Sequence, residues 1–399
     1  MECSTPTFDV NIDTTGFVVD LASLYAALAG LHDQRKARGI RYALVTVLTY
    51  LVLAKLAGQD TLSGIADWVR LRQETLVQAF PLKKLRAPCA NTYRNILEQV
   101  IDVAELEQVV RTFFAQQSRA GYSLVIALDG KTLRGTIDLT HPQGQHLLAA
   151  YLPAEGWVLC QVEVEGKENE ISAAPRVLNT LDLRGKIVTG DAMFAQRKLS
   201  VQIIEAGGDY VWTVKDNQAA LRQDIELLFQ PEKTVKGFSA GVKDFRTAQT
   251  IEKNHGRLER RTLTVSAELK EHLNWPGAEQ VFKLERYFER TQDHHVTHEV
   301  TYGITSLSAP EVTADELVCI VRQHWGIENG LHYRRDVTLH EDACHLKRGQ
   351  TQPALAVINN LIIGLIRQLG WNNLAEARRF FDARFAQTQK VILQPLADF

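Results

Sequence analysis

The sequence has little of what marks secreted, membrane-bound or strongly basic DNA-binding chains. Its five cysteines are scattered and form no Cys-x-x-Cys pair, which argues against a disulfide framework and predicts reduced thiols in the cytoplasm. A formal net charge of −2 supplies no overall basic field, so a nucleic-acid surface would have to be a local patch. The first residues show no basic region followed by an apolar one, so we expect no signal peptide.

Long hydrophobic runs are also missing. The most apolar stretch lies between Arg41 and Lys55 and has about 13 residues, whereas a membrane span needs about 20. We therefore predict a buried helix there, and a soluble cytoplasmic protein without a membrane partner. The chain has 399 residues, which is enough for two or three domains with a large core.

The spacing of apolar residues predicts an α/β protein in which helices come first and a sheet follows. Residues 1–18 are polar and aperiodic, which predicts a tail. Helical spacing over 19–118 predicts an N-terminal helical domain, for which binding of DNA ends is a candidate role. Residues 119–399 are predicted to form the second, larger domain.

From Tyr122 onward, the predicted elements follow the order βββαβαβα, which favours one sheet with helices on both faces. The predicted strands are 123–128, 146–151, 157–164, 186–189 and 210–214, and the helices between them are 171–181, 196–206 and 218–229. Residues at about 232–305 then predict a β insertion with strands at 245–251, 258–265, 281–290 and 296–304. Helices are predicted again at 314–335, 352–369 and 374–385.

Three acidic residues stand out by their places in this order. Asp129 follows an apolar run that ends at Leu128, Asp191 follows a second predicted strand, and Glu328 lies within a predicted helix after the insertion. Taken singly, each has an ordinary explanation, because an Asp after a strand is often a turn or cap residue and a Glu on a charged helix is often solvated. Together they have the layout of a ribonuclease-H-like phosphoryl-transfer site.

The chemistry of such a site explains why carboxylates are needed. Phosphodiester cleavage requires a hydroxyl or water aligned opposite the leaving oxygen, and two divalent ions can activate the one and stabilise the other. Mg²⁺ prefers hard oxygen ligands, and clustered carboxylates without a cation would repel one another. We therefore expect Asp129, Asp191 and Glu328 to bind two Mg²⁺ or Mn²⁺ ions and to be the catalytic residues.

Longer phrases of the sequence resemble the DDE transposases of bacterial insertion sequences, in particular the H-repeat-associated subgroup. The matching phrases are ALDGKTLRG (127–135), NEI (169–171), DLRGKIVTGDA (182–192), GDYV (208–211), KDNQ (215–218), HGRLERR (255–261), ITS (304–306), HWGIENGLH (324–332) and DVTLHED (336–342). The resemblance as a whole extends over roughly 40–370. In that family the catalytic acids match Asp129, Asp191 and Glu328, and a β insertion lies between the second Asp and the Glu.

The resemblance implies a ribonuclease-H-like catalytic domain and a cut-and-join reaction on double-stranded DNA. Water would hydrolyse a strand at the end of the element, and the freed 3′-hydroxyl would attack target DNA. Such enzymes usually act as dimers or larger assemblies, so we expect a homodimer on DNA. Two alternatives stay open: a catalytically inactive, domesticated DNA-binding descendant, and a nuclease without strand transfer.

Related insertion-sequence transposases carry a Tyr-Arg-Glu-Lys signature around the Glu, and this sequence departs from it. Val321, His324 and Arg335 occupy the Tyr, Arg and Lys positions. We expect His324 and Arg335 to contact phosphate, with Arg322 as a further contact. Trp325 is predicted to pack in the core and orient the helix rather than to stack on a base.

Other basic residues are candidates for binding DNA. Lys131 and Arg134 directly follow Asp129, and phosphate contact there competes with a solvated turn. Residues 61–97 have helix–turn–helix character that would place Arg94 near a major groove, although plain helical packing explains the pattern equally well. In the insertion, positive charge collects at Arg257, Arg260 and Arg261, with solvated strand charge as the alternative. Glu341 and Asp342 are expected to cap or orient rather than to bind metal.

Overall fold

Nine strands form one continuous sheet within the part of the chain that the computed structural model describes. That part comprises residues 20–80, 86–117, 125–137, 139, 142–165, 168–230, 243–254, 256–344, 346 and 348–396. The strands are β1 (Val125–Leu133), β2 (Gln145–Leu152), β3 (Trp157–Val164), β4 (Ile187–Gly190), β5 (Asp209–Val214), β6 (Arg246–Asn254), β7 (Arg257–Ser266), β8 (Gln280–Arg290) and β9 (Val296–Thr305). Each of the nine overlaps a strand predicted from the sequence.

The β insertion is part of the main sheet. The strand order is β3-β2-β1-β4-β5-β9-β8-β7-β6, in which β1 and β4 as well as β4 and β5 are parallel and the other neighbours are antiparallel. The insertion joins through β9, which pairs with β5 from Val211–Thr305 to Val214–Tyr302. The sheet edge beside β5 is therefore covered by the chain's own backbone, which satisfies its hydrogen-bonding groups.

Helices surround this sheet and also precede it. The helices are α1 (Leu24–Ala29), α2 (Leu44–Leu56), α3 (Leu62–Leu71), α4 (Gln73–Ala79), α5 (Ala90–Gln99), α6 (Val103–Gln117), α7 (Glu170–Asn179), α8 (Arg197–Glu205), α9 (Ala219–Phe229), α10 (Ala314–His324), α11 (Thr351–Gln368), α12 (Leu374–Ala383) and α13 (Phe385–Leu393). Thr61 caps α3 by accepting a hydrogen bond from the Gly64 amide. Lys83 and Lys84, which belong to the expected helix–turn–helix, lie outside the described residues.

The first six helices share a hydrophobic core with the last three. Helix α1 contacts α13, α2 contacts α12 and α13, and α6 contacts α11 and β3. Helix α2 is buried almost all round, as its apolar sequence predicts. Among the described residues, no helix is long and apolar enough to cross a membrane. The predicted division at 118/119 thus falls within one continuous core, and separate domains stay a prediction.

The region around Glu328 departs from the predicted regular helix. Helix α10 starts with a capping box, in which Thr313 and Glu316 bond each other's backbone amides, but it ends at His324. The chain continues through two π-helical segments, Glu328–His332 and Arg334–Thr338. A π-helix adds a residue to each turn, so side chains here do not follow the spacing of an α-helix; such segments are frequent at functional sites.

A buried ionic network joins α2, near the start of the chain, to α12, near its end. The guanidinium of Arg378 in α12 donates to Asp60 Oδ1 at 2.6 Å, to the Lys55 carbonyl at 3.1 Å and to the Thr338 carbonyl at 2.6 Å. Burial holds the pKa of the Lys55 ammonium below its usual range, and the negative charge of Asp60 opposes that effect. The network therefore couples α2, α12 and the second π-helical segment.

Replacing Arg378 by alanine is expected to lower the unfolding free energy by about 3 kcal/mol or more, because Asp60 and two backbone carbonyls lose a buried partner. Chemical denaturation followed by circular dichroism measures this loss. The neighbouring exposed Arg379→Ala serves as a matched control and should unfold like the parent protein. An unchanged midpoint for Arg378→Ala would show that the network does not couple the chain ends.

Candidate active site

Two parallel strands bring Asp129 and Asp191 together. Strands β1 and β4 pair in register from Val125–Ile187 to Ala127–Thr189, and the two acids lie two residues beyond that last pair. Side chains two residues apart in a strand point to the same face, so both carboxylates lie on the face of Ala127 and Thr189. The structure thus places two acids from distant parts of the sequence side by side.

Asp129 lies within its strand, whereas the sequence predicted that this strand ends at residue 128. Strand β1 continues to Leu133 through its antiparallel pairing with β2, in which Asp129 faces Ala149. What ends near Asp129 is the pairing with β4, whose last residue is Gly190. The side of β1 toward β4 is consequently open at Asp129, which leaves room for a ligand beside the carboxylate.

Each of the two carboxylates is held by a specific donor. Asp191 caps a short 3₁₀ helix, Ala192–Phe194, by accepting a hydrogen bond from the Met193 amide at 2.9 Å. Asp129 Oδ2 lies 3.1 Å from His332 Nε2, and a proton on that nitrogen makes the hydrogen bond. His332 was not selected from the sequence, although it ends the HWGIENGLH phrase. Both acids are therefore preorganised before any ligand binds.

The pair is electrostatically unfavourable without a cation. Burial raises the pKa of the Asp191 carboxyl above its usual range, the charge of Asp129 raises it further, and Lys215 opposes both effects. Glu170 adds to the repulsion. Bringing a positive ion between Asp129 and Asp191 would remove part of this cost.

Glu170 is an acidic neighbour that the sequence prediction did not select, although the NEI phrase contains it. Its carboxylate lies against Gly130, where any Cβ would collide with Glu170 and His146. His146 Nε2 is 2.7 Å from Glu170 Oε1, and its other ring nitrogen is 2.8 Å from Thr132 Oγ1. A Cβ at position 130 would displace the ends of these two side chains, so glycine allows Glu170 and His146 to approach β1 closely.

All three predicted acids line one cavity of about 390 Å³. Its lining consists of Asp129, Asp191, Thr213, Lys215, Arg286, Glu299, Val300, Thr301, His324, Trp325, Ile327 and Glu328. One wall comes from the ends of β1, β4 and β5, and the other from the insertion strands and the π-helical segment. The insertion therefore shapes the cavity as well as extending the sheet.

The donor set suits a hard divalent cation in part. Asp129 and Asp191 offer adjacent carboxylate oxygens, which are the ligands that Mg²⁺ and Mn²⁺ prefer. Glu328 lines the same cavity, but within the described residues no three His, Cys, Asp or Glu side chains are grouped closely enough to hold a metal ion. The Asp129–Asp191 pair thus fits such an ion, whereas Glu328 is not yet part of a shared ligand group.

Two of the predicted phosphate-binding cations are buried in ion pairs. The Lys131 side chain is 8% exposed and lies 2.5 Å from Asp336 Oδ1 and 3.8 Å from Asp342 Oδ1. The Arg335 side chain is 0% exposed and donates from Nε to Glu341 Oε2 at 2.8 Å. Neither charge lines the cavity or is open to solvent, because each forms an ion pair with acidic residues that come later in the chain.

His324 and Trp325 also differ from their predicted roles. Burial lowers the pKa of the His324 imidazole, so the side chain is neutral near pH 7, and its Nδ1 lies 3.4 Å from Thr189 Oγ1. Trp325 was predicted to pack in the core, but it is 43% exposed at the cavity wall. The Arg286 guanidinium lies 5.9 Å from its ring centroid, within reach of a cation–π contact.

The remaining predicted DNA contacts lie away from the cavity lining. Arg134 is 79% exposed, and Arg94, Arg257 and Arg260 are exposed as well, with Arg260 stacked 4.6 Å over the Tyr287 ring. Arg261 is mostly buried, between Glu252 and Glu259. Arg322 is half-exposed and paired with Glu252. Glu341 holds Arg335 and accepts from Asn359, which matches its expected orienting role.

Comparison with known proteins confirms the resemblance seen in the motifs. A family profile described as Transposase DDE domain matches residues 121–365, and a second, described as associated with that domain, matches 25–114. The chain is 27% identical over 354 residues to the "H repeat-associated putative transposase YhhI" of Escherichia coli K12, covering 87% of this chain and 91% of that protein. It is 29% identical over 355 residues to the "Putative transposase YncI" of E. coli O157:H7, covering 88% of each.

Among solved structures, the chain is similar to a piggyBac transposase in a synaptic complex with hairpin DNA. The TM-score is 0.42 and the identity 13%, over 96% of this chain and 82% of that one. A similarity of this size supports no conclusion about the site.

Replacing Asp191 by asparagine is expected to raise the melting temperature in metal-free buffer at pH 7 by roughly 1–3 °C. The native Asp191 pKa is raised, so the folded protein holds this proton more tightly than the unfolded chain, and stability falls as pH rises through that pKa. Asparagine removes this loss and can still accept the Met193 amide. Calorimetric scans across pH 4–8 measure the melting temperature, with Asp216→Asn at an exposed position as the control. A melting temperature of Asp191→Asn below that of the parent protein would contradict the prediction.

Proposed function

This chain belongs to the family of DDE transposases, and we propose that it cuts DNA at the ends of a mobile element and joins the freed strand to target DNA. The observation that carries the proposal is the placement of Asp129 and Asp191 on adjacent parallel strands, in one cavity with Glu328. In this proposal the three acids are the catalytic and metal-binding residues.

Asp129 and Asp191 would hold the first divalent ion, Mg²⁺ or Mn²⁺, and Glu328 would complete a two-ion site. The bound ions would supply Lewis-acid activation of the attacking oxygen and stabilise charge on the phosphate. The chain's own contribution is positioning: His332 fixes the Asp129 carboxylate, and the Met193 amide fixes Asp191. Because Glu328 lies outside a shared ligand group, we expect the π-helical segment to shift when DNA and metal bind.

The reaction follows as two phosphoryl transfers. In the first, a water oxygen bonds to phosphorus at the element end while the bond from phosphorus to the 3′-oxygen breaks. The water proton is released, and the leaving 3′-oxygen takes up a proton to become a hydroxyl. In the second, that 3′-hydroxyl oxygen bonds to a target phosphorus, the target's own 3′-oxygen leaves, and the number of phosphodiester bonds is conserved.

Double-stranded DNA is the partner in this proposal. Exposed arginines are suited to phosphate contacts, and Arg134, Arg94, Arg257 and Arg260 are the described candidates. The chain would assemble as a homodimer when both element ends are bound. We infer a ribonuclease-H-like catalytic domain from the β3-β2-β1-β4-β5 order with parallel β1, β4 and β5, and an N-terminal helical domain from the six helices before β1.

Two observations favour the second candidate, a catalytically inactive DNA-binding descendant. No group of three metal-binding side chains is present in the described part of the structure, and two positions of the family's basic signature are buried here. A nuclease without strand transfer would share the first reaction step only. The three candidates differ in their products and can be separated by one assay.

Asp129→Asn and Glu328→Gln are each expected to reduce DNA cleavage by at least about 10³-fold, because a neutral amide cannot replace a metal-binding carboxylate. The substrate is a supercoiled plasmid carrying the gene with its flanking DNA, incubated with Mg²⁺ or Mn²⁺, and nicked, linear and joined products are resolved on gels.

Glu205→Gln, an exposed acid at the end of α8, is the matched control and should cleave like the parent. Cleavage without joined products would identify a nuclease. Absence of cleavage by the parent protein with either ion would reject the enzymatic proposal and favour the inactive descendant.

Adding Mn²⁺ is expected to raise the melting temperature of the parent protein, because an ion that binds only the folded state stabilises it. The shift should be lost in the Asp129→Asn and Asp191→Asn variants and kept in Glu205→Gln. Differential scanning fluorimetry measures it, and equal shifts in all four proteins would place the ion elsewhere.

A further inference from the structure

We propose that Lys215 is a catalytic residue that contacts the scissile phosphate, and that Asn217 and Gln218 hold it in position. The inference rests on the proposed function, because it concerns the cavity formed by Asp129, Asp191 and Glu328. It accounts for the KDNQ phrase at 215–218, whose role could not be inferred from the sequence.

The cavity contains two cations among its described lining residues, Lys215 and Arg286. Arg286 is already engaged: its guanidinium approaches Glu259 at 3.4 Å and Glu299 at 3.3 Å and stacks 4.6 Å over the Phe288 ring. For Lys215, the described residues provide neither a hydrogen bond nor a salt bridge within 4 Å. Its ammonium is exposed and available to a ligand in the cavity.

Three side chains that the sequence predicted to contact phosphate are not available for this task. Arg335 is buried against Glu341, Lys131 is buried against Asp336, and His324 is buried beside Thr189. Phosphoryl transfer develops negative charge on the non-bridging phosphate oxygens, and a fixed cation stabilises that charge. Lys215 is the described residue whose position in the cavity and free charge suit this requirement.

Two side-chain hydrogen bonds fix the Lys215 turn to the segment that carries Asp191. Asn217 Nδ2 donates to the Ala192 carbonyl at 2.6 Å, and Gln218 Nε2 donates to the Ala195 carbonyl at 3.0 Å. Ala192 begins the 3₁₀ helix that Asp191 caps, and Ala195 is the C-cap of the same helix. Lys215 and Asp191 therefore belong to two backbone segments that are hydrogen-bonded to each other. Their separation should stay constant if the π-helical segment moves.

This arrangement explains why Asn and Gln follow the lysine at these positions. An amide side chain can donate to a carbonyl, whereas Asp or Glu at the same place would meet that carbonyl with like charge. Asp216, the remaining residue of the phrase, points to Arg222 instead and is exposed. The positioning role thus falls on the third and fourth residues of the phrase.

The test compares Lys215→Ala, Lys215→Arg, Asn217→Ala and the double variant Lys215→Ala/Asn217→Ala in single-turnover cleavage of the plasmid described above. Lys215→Ala is expected to slow cleavage by on the order of 10²–10³-fold, with partial recovery in Lys215→Arg. Asn217→Ala should slow it less, and the double variant should be no slower than Lys215→Ala, because Asn217 acts through Lys215.

The matched control is Lys198→Ala, which removes an exposed lysine of α8 that does not line the cavity. Melting temperature with and without Mn²⁺ provides a readout apart from activity. Lys215→Ala should keep the Mn²⁺-induced shift in full, since it removes a cation that competes for Asp191, whereas Asp129→Asn should lose it. A Lys215→Ala variant that loses the shift would be structurally damaged at the metal site, and the proposal would fail.

Failure of this inference is distinguishable from failure of the proposed function. If Asp129→Asn abolishes cleavage and Lys215→Ala cleaves at the parent rate, only the catalytic role of Lys215 is overturned. If the losses of cleavage rate from Asn217→Ala and Lys215→Ala add in the double variant, the positioning role of Asn217 is overturned. If the parent protein does not cleave DNA, the affinity for a linear fragment of the same plasmid tests whether Lys215 contacts phosphate. Lys215→Ala in the Asp129→Asn background should then lower the slope of log affinity against log salt by about one, and an unchanged slope rejects phosphate contact.

Discussion

The repulsion between Asp129 and Asp191 is the interaction on which the rest of the candidate site depends. Parallel pairing of β1 and β4 forces the two carboxylates together, and their partial burial makes the uncompensated pair costly. The surrounding groups offset part of that cost. His332 and the Met193 amide hydrogen-bond to the acids, and Lys215 lines the same cavity from the residue after β5. Structures tolerate such a cluster where a ligand is meant to relieve it.

The β insertion is more closely integrated than a simple appended unit. Because β9 pairs with β5, the insertion continues the sheet and brings β8 and β9 to the wall of the acidic cavity. Trp325 and Arg286 meet there, one from the segment that leads to Glu328 and the other from the insertion. A displacement of either element would change the shape of the cavity, so the insertion is mechanically linked to the candidate site.

Much of the fold could be predicted because local patterns decide it. Strands β1 to β9 follow runs of apolar or alternating residues, and the order of elements follows directly from the chain. The less predictable features arise where local patterns compete. The helix expected at 314–335 changes to π-helical turns after His324, and α13 begins within two residues of the end of α12. Such boundaries depend on packing partners that the local sequence does not contain.

The sequence by itself indicated the family, selected the three acids as candidates and determined the order of the elements that carry them. These depend on short motifs and on strand and helix periodicity, which are local properties. Only the tertiary structure decided which charges face the cavity. Lys131 and Arg335 are buried in ion pairs with Asp336 and Glu341. Lys215 lies near Asp191 because β5 pairs with β4. Burial and ion pairing join residues that are far apart in sequence, and motif spacing carries no information about them.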